Sequence, residues 1–323
     1  MEITITSNTL FIGCKNDRFI DDCLSLGVRS LRVNLSKLSL LDDLYRYAEE
    51  CRRIKEKHGI SLMIDLPIPR RKPRVFFGSS INSKVVHFSE GEVVCIKHKI
   101  SDGIYTDSDK LNTVETGGIV CNSAGNRILK VINQLYGGTE LEFLCDYDLN
   151  FAEALFFGEL TENTSADIIM TEIANDVMPE KIALSFVECP DDVLRFKNKL
   201  SFTPEIISKI ESYAAFNELE SIAEESSLMV ARGDLLHYAD PLLLPVYQKT
   251  ICNAAKKSGA KCYIATGILS TLTKGDLPSA ADICDLHNIL NLHPEGIVIN
   301  YGVSSTRLNK ALQIINTVRD RYV

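Results

Sequence analysis

KIALSFVECPDDVLRFKNKLSFTPEIISKIES, residues Lys181 to Ser212, decides the fold. A short apolar run at Lys181–Phe186 is followed by Pro190–Lys199, where apolar residues recur at three and four. A second short run follows at Glu205–Glu211. That order reads as strand, helix, strand, and two such strands lie parallel because the helix carries the chain back to the starting edge. Working outward, further runs stand at Thr9–Gly13, Ser30–Asn34, Ser61–Asp65, Leu228–Ala231, Lys261–Thr266 and Gly296–Asn300. Helical periods fill Leu40–Lys57, Asn217–Glu225, Pro241–Ser258, Ser279–Leu292 and Ser305–Arg321. Eight strands with interleaved helices predict an α/β fold, a (β/α)8 TIM barrel whose functional face is the C-terminal end of its strands.

The repeat breaks once, after the third strand. Runs such as KVVHF, GEVVCIKHKI and TELEFLC alternate apolar with polar residues between Gly, Ser, Asn and Asp, as antiparallel hairpins do. The expected organisation is a barrel over 1–71 and 151–323 with a small β-rich domain inserted over 72–150. An insertion that leaves a C-terminal strand end is placed to act as a lid.

Composition narrows the function classes. The chain has 323 residues, of which 45% are hydrophobic and 24% charged, enough for one large core and a smaller appended one. No apolar run approaches the roughly 18 residues a membrane span needs, so no membrane partner is expected and the cytoplasm is the expected location. A net charge of −8 argues against broad contact with nucleic acid. The ten cysteines include no C-x-x-C pair, which fits neither a zinc site nor a disulfide framework and leaves buried, reduced thiols.

Four segments place chemistry at strand ends. In PEIISKIES, Lys209 and Glu211 are two apart and so share the face that lines the barrel mouth. A cation beside a carboxylate there needs a mutual contact, a metal or a charged ligand, and a structural ion pair explains it equally well. In LMVARGDLL, Gly233 lets backbone N–H groups approach an anion and Asp234 offers a hard oxygen to Mg2+ or Mn2+, although a turn with a capping Asp gives the same letters. In YIATGILST, Thr266 ends a strand with a hydroxyl, as a plain helix cap also would. In SLRVNLSK, the alternation sends Arg32, Asn34 and Ser36 to one face, and a guanidinium in a barrel mouth meets carboxylate or phosphate.

Taken in order, these segments resemble the pyruvate kinase family. IISKIES resembles its signature around an essential lysine and a metal-binding glutamate, and MVARGDL its next strand. SLRVNLSK is similar to R-L-N-F-S-H, IATGILSTL to the A-T-Q-M-L segment, and PSAADICDL to P-T-R-A-E-x-S-D-V. LMIDLP, SFVECPDDV and PVYQK also find counterparts.

The resemblance implies that Glu211 and Asp234 hold Mg2+ or Mn2+. It implies that Lys209 neutralises charge on an enolate oxygen, and that Gly233, Asp234 and Thr266 hold the carboxylate of phosphoenolpyruvate or pyruvate. Thr266 would stand near the carbon that exchanges a proton, and Arg32 would face the phosphate. Asn34, Ser36 and Asp65 fall at the family's K+ ligands. Departures weaken the K+ site, at Lys37 and Leu66, and otherwise erode the nucleotide side. The family's His is Lys37, its Thr after the strand-three aspartate is Leu66, its Gln is Gly267 and its Arg is Ala280. The lid acids become Asn122 to Ile128, the K-G-V-N-L-P lysine has no counterpart, and S-G-E-T is replaced by Asn300 to Val303.

The sequence ends after the eighth helix, so the resemblance implies no C-terminal regulatory domain and a homodimer or monomer. Three functions remain open at this level. One is a pyruvate kinase-type phosphotransferase using a nucleotide or another acceptor. The second is a metal-dependent C–C lyase or biosynthetic transferase acting on a pyruvate-type enolate. The third is an inactive metabolite-binding paralogue.

Overall fold

The computed structural model describes residues 1–7, 15–35, 41–106, 108, 110–122, 125–156, 161–162, 164–273, 275–300 and 305–322. The chain divides into two compact units. The first holds Met1–Ser36, Leu40–Pro69 and Thr164–Val323, and the second Lys37–Ser39 and Arg70–Asn163. Among the described residues no helix is long and apolar enough to cross a membrane.

The first unit is a closed (β/α)8 barrel. Its strands are β1 (Glu2–Ser7), β2 (Ser30–Asn34), β3 (Ser61–Arg71), β4 (Lys181–Ser185), β5 (Glu205–Ile210), β6 (Ser227–Ala231), β7 (Cys262–Ala265) and β8 (Gly296–Asn300). Each pairs in parallel with the next, and β8 returns to β1 with Gly296 opposite Glu2, so the barrel strands leave no open edge. Outside run α1 (Lys15–Ser25), α2 (Leu41–His58), α3 (Thr164–Val177), α4 (Pro190–Lys197), α5 (Leu219–Glu225), α6 (Arg232–Tyr238), α7 (Leu244–Lys257), α8 (Ala280–Leu290) and α9 (Ser305–Tyr322).

One expected strand is corrected. The barrel opens with Glu2–Ser7, whereas the expected run Thr9–Gly13 lies outside the described residues. The reason is the direction of the side chains. Thr4 and Thr6 are both buried, and Thr6 accepts from the barrel residue Arg32 at 3.1 Å, so this strand lines the interior with hydroxyls and offers no continuous apolar run.

The barrel is filled in levels. Met63, Ala183, Ile207, Met229, Tyr263, Ala265 and Val298 form an apolar plug. Gly296 makes room for it, since a Cβ there would come within 2.9 Å of the Tyr263 ring. The Tyr263 hydroxyl donates to Glu205 at 3.0 Å while the Lys181 ammonium, paired with Glu2, lies 5.5 Å from the centre of the Tyr263 ring. Two residues further along β5 from Ile207, in phase with it, comes Lys209. The plug therefore supports the mouth from below.

The second unit is β-rich. Its seven-stranded sheet runs, in spatial order, through 153–154, 74–77, 104–106, 93–97, 138–143, 127–135 and 119–121, antiparallel except between 93–97 and 104–106. A hairpin-like ribbon of Val85–Phe88 with Tyr147–Asn150 adds Phe88, stacked on Phe143 at 4.4 Å, to a core of its own. The unit runs past residue 150, where Glu153 and Ala154 pair with Val75 and Arg74.

Candidate active site

Lys209 is the centre of the barrel mouth. Its side chain is 8% exposed, and its ammonium lies 2.9 Å from Asp65 Oδ1 and 3.2 Å from Glu211 Oε1, carboxylates that are themselves 0% and 2% exposed. Arg32 reaches the other Asp65 oxygen, donating to Oδ2 from Nε at 3.0 Å and again from a terminal nitrogen. Register explains the meeting, because Asn34 lies opposite Asp65 and Arg32 opposite Met63, so Arg32 and Asp65 sit one inward step apart on adjacent strands.

The charges hold one another. Burial works to raise the Asp65 carboxyl, but Arg32 and Lys209 overcome it and keep it below the ordinary carboxylate range. Burial likewise works against the Lys209 ammonium, and Asp65 and Glu211 override it, so Lys209 stays protonated above the usual lysine value. Asp234 adds to that pull. A permanently charged lysine donates and stabilises negative charge, and it cannot serve as a base near neutral pH.

Glu211 is fixed from its other side. The Phe186 N–H donates to Glu211 Oε2 at 2.8 Å, and Phe186 takes a positive φ of 50° as it leaves β4. A bulky residue there carries strain of about 1–3 kcal/mol, which surrounding packing must offset. Part of that packing is Tyr238 of α6, edge-on to Phe186 with centroids 5.1 Å apart. Burial, then Asp234 and Glu211, push the Tyr238 phenol up, which places its hydroxyl in the field of both carboxylates.

The third wall joins β6 to β7. Arg232, buried at the start of α6, grips Asp285 of α8 with two nitrogens at 2.7 and 2.9 Å. The same guanidinium donates to the Thr266 carbonyl from Nε at 2.8 Å and from a terminal nitrogen at 2.6 Å. Thr266, one residue past β7, has a φ of 77° and is exposed at the mouth. A Cβ on Gly233 would stand 3.0 Å from the Thr266 methyl, so the chain at Gly233 and Asp234 runs directly against Thr266.

The sequence-derived residues thus fall into place unevenly. Arg32, Asp65, Lys209 and Glu211 form one charged cluster, Gly233 and Thr266 touch, and Asp234 acts on Lys209 electrostatically. Asn34 is partly buried opposite Asp65, and Ser36 lies outside the described residues, as do Lys37 and residues 301–304. Glu211 and Asp234 are hard oxygen donors of the kind Mg2+ and Mn2+ take, and such ions commonly accept one or two carboxylates with water or substrate completing the shell. Among the described residues no group of three or more His, Cys, Asp or Glu gathers as a metal cage. Sequence reasoning missed Thr6, Phe186, Tyr238 and the Arg232–Asp285 clamp. For the clamp, an arginine ending a buried run was the available signal.

The match to known proteins agrees with this layout. Residues 149–293 match the model of the pyruvate kinase barrel domain. A pyruvate kinase of Thermotoga maritima is 27% identical over 307 residues, covering 86% of this chain and 62% of its own. One from Methanocaldococcus jannaschii is 26% identical, covering 86% and 60%. The crystal structure of a pyruvate kinase from Cryptosporidium parvum superposes with a TM-score of 0.73 at 18% identity, over 100% of this chain and 69% of that one. Over 86% of its length the chain is similar to these pyruvate kinases. It spans about three fifths of the length of these two curated pyruvate kinases. Residues 149–293 include Lys209, Glu211, Gly233, Asp234 and Thr266.

Proposed function

We propose that the barrel mouth binds phosphoenolpyruvate or pyruvate with a divalent cation and transfers a phosphoryl group through the pyruvate enolate. The observation that carries this reading is the Lys209 ammonium, buried, kept charged by Asp65 and Glu211, and so already oriented before substrate arrives. Loss of the phosphoryl group leaves negative charge on an enolate oxygen, and a fixed cation stabilises that charge without reorganising. Bound Mg2+ or Mn2+, held by Glu211 and Asp234, would supply further positive charge to the acid's oxygens. Gly233 and Asp234, pressed against Thr266 by the Arg232 clamp, would seat the carboxylate. Arg32 would meet the phosphate. The resemblance assigns Asn34, Ser36 and Asp65 to K+, and turnover with and without K+ tests that part.

The test is direct. Protein mixed with Mn2+, phosphoenolpyruvate and ADP is expected to yield pyruvate. If none forms with ADP or with other nucleoside diphosphates, metal-dependent proton exchange at the methyl group of pyruvate separates an enolate enzyme of another kind from a chain that only binds. Absence of both activities overturns the proposal.

A further inference from the structure

The mouth of the barrel makes no use of two nucleophiles on its wall. Cys252, among the buried residues Ile251, Ala254 and Ala255 of α7, and Cys262, the first residue of β7, stand with their sulfurs 3.4 Å apart. The turn after α7, with Gly259 at a φ of 68°, folds the helix back along the strand and brings the two together. Both lie in the barrel unit, and both are buried yet retain 6% and 7% exposure.

Their chemistry differs from that of the other buried thiols. Burial, aided by a neighbouring acid in each case, pushes Cys23 and Cys51 up to about 12, which keeps them inert. The Cys262 S–H instead donates to Cys252, which lowers the Cys252 thiol below its ordinary value while Cys262 is raised. Two thiols in sulfur contact can act in sequence, one attacking a disulfide and the other resolving the mixed disulfide.

We propose that Cys252 and Cys262 form a reversible dithiol–disulfide site whose oxidant is a low-molecular-weight disulfide. The Cys252 thiolate attacks one sulfur of the small disulfide, forming a mixed disulfide and expelling one small thiolate. Cys262 then loses its proton, attacks the Cys252 sulfur and releases the second small thiol. Two protein thiols are oxidised, one small disulfide is reduced to two thiols, and the atoms balance. The sulfurs must close to the roughly 2.05 Å of an S–S bond, a side-chain movement between a helix and the strand it packs on. The bond would tie α7 to β7, the strand that leads to Thr266. Because α7 also packs on β6, oxidation would stiffen the strands on which the Arg232 clamp is built.

The full chain, reduced and then exposed to oxidised glutathione, tests this by peptide mapping without reductant. Lys256, Lys257 and Lys261 provide tryptic cuts between the two cysteines, so a disulfide links two separate peptides. The expected product is that linked pair, lighter than the sum by two hydrogen atoms and restored by dithiothreitol. Cys262→Ser is expected to stop at glutathione on Cys252, and Cys252→Ser to slow modification of Cys262 by about tenfold. The wild-type map stands even if a variant fails to fold. Recovery of Cys252 and Cys262 as free thiols while exposed Cys284 is glutathionylated overturns the proposal, as does linkage of either to a different cysteine. Neither result depends on the reaction at the mouth.

Discussion

Asp65 and Lys209 meet carboxylate to ammonium at 2.9 Å, although β3 and β5 are separated by β4 and the residues by more than a hundred positions. Asp65 is enclosed by this ammonium and by the Arg32 guanidinium, with its side chain wholly buried. Removing its charge leaves two cations facing each other in a dry interior. Asp65→Asn is therefore expected to destabilise the chain by about 3 kcal/mol, the usual penalty for breaking a buried pair. Urea unfolding measures it, and adding Lys209→Met to the variant should recover part of the loss. A strictly additive double variant would show that the two groups do not interact.

The same pair sets a pH dependence whose sign follows from the two shifts. Asp65 is held below its unfolded value, so its contribution is present above about pH 4 and fades as pH falls further. Lys209 is held above its unfolded value, so its contribution is complete below about pH 10 and fades as pH rises through the folded value. The stability gap between wild type and Asp65→Asn should be flat between these limits and shrink beyond both. A gap that instead grows in acid would contradict the ion-paired carboxylate.

Lys209→Met separates chemistry from assembly of the site. On the proposed mechanism it should lower pyruvate formation by about a thousandfold, as loss of a preorganised charge stabiliser does. Glu211 keeps its bond from the Phe186 N–H, so Mn2+ affinity, read by calorimetry, should stay within about threefold. Unchanged turnover would remove this lysine from the mechanism.

How much of this was legible depends on the distance over which each contact acts. Lys209 and Glu211 were readable because their i, i+2 spacing on one strand forces a common face. Arg32 and Asn34 were readable as sharing a face, whereas Asp65 came only from the resemblance, and nothing in either segment says that Asp65 belongs to Lys209, since the barrel's curvature brings them together. Arg232 and Asp285 are likewise joined only by the packing of α8 against the end of β6. The strand at Glu2–Ser7 escaped notice because its interior face is threonine. Helices α1 and α3 border the unread first strand and the inserted unit, where the repeat offered no frame to count from. Local pattern therefore exposed the staves and the letters at their ends, whereas long-range pairing chose their partners.

The Arg232 clamp gives a prediction that a simple charge count would not. Lysine keeps the charge but cannot hold the Asp285 carboxylate with two nitrogens while also donating twice to the Thr266 carbonyl. Arg232→Lys is expected to lose about 1–2 kcal/mol of stability and, in the proposed reaction, to raise KM for the acid more than it lowers kcat. Asp285 is one-third exposed, so Asp285→Asn should have the smaller effect on unfolding. Equal behaviour of Arg232→Lys and wild type in both assays would reduce the clamp to a surface contact.

Gly233 provides the sharpest geometric test, because its neighbour is known to a single methyl group. A Cβ at this position would stand 3.0 Å from Thr266 Cγ2, but 3.6 Å from the hydroxyl oxygen and 3.7 Å from the Thr266 Cβ. Gly233→Ala should therefore push the two strand ends apart by a few tenths of an ångström, enough to disturb a seat built on both. Thr266→Ser removes only the methyl and keeps the hydroxyl, so the nearest atom would then lie at ordinary contact distance. In the proposed reaction Gly233→Ala should lose activity by about tenfold or more, and Gly233→Ala with Thr266→Ser should regain most of it. If the serine gives no rescue while both variants unfold like wild type, the contact between Gly233 and Thr266 does not shape the site.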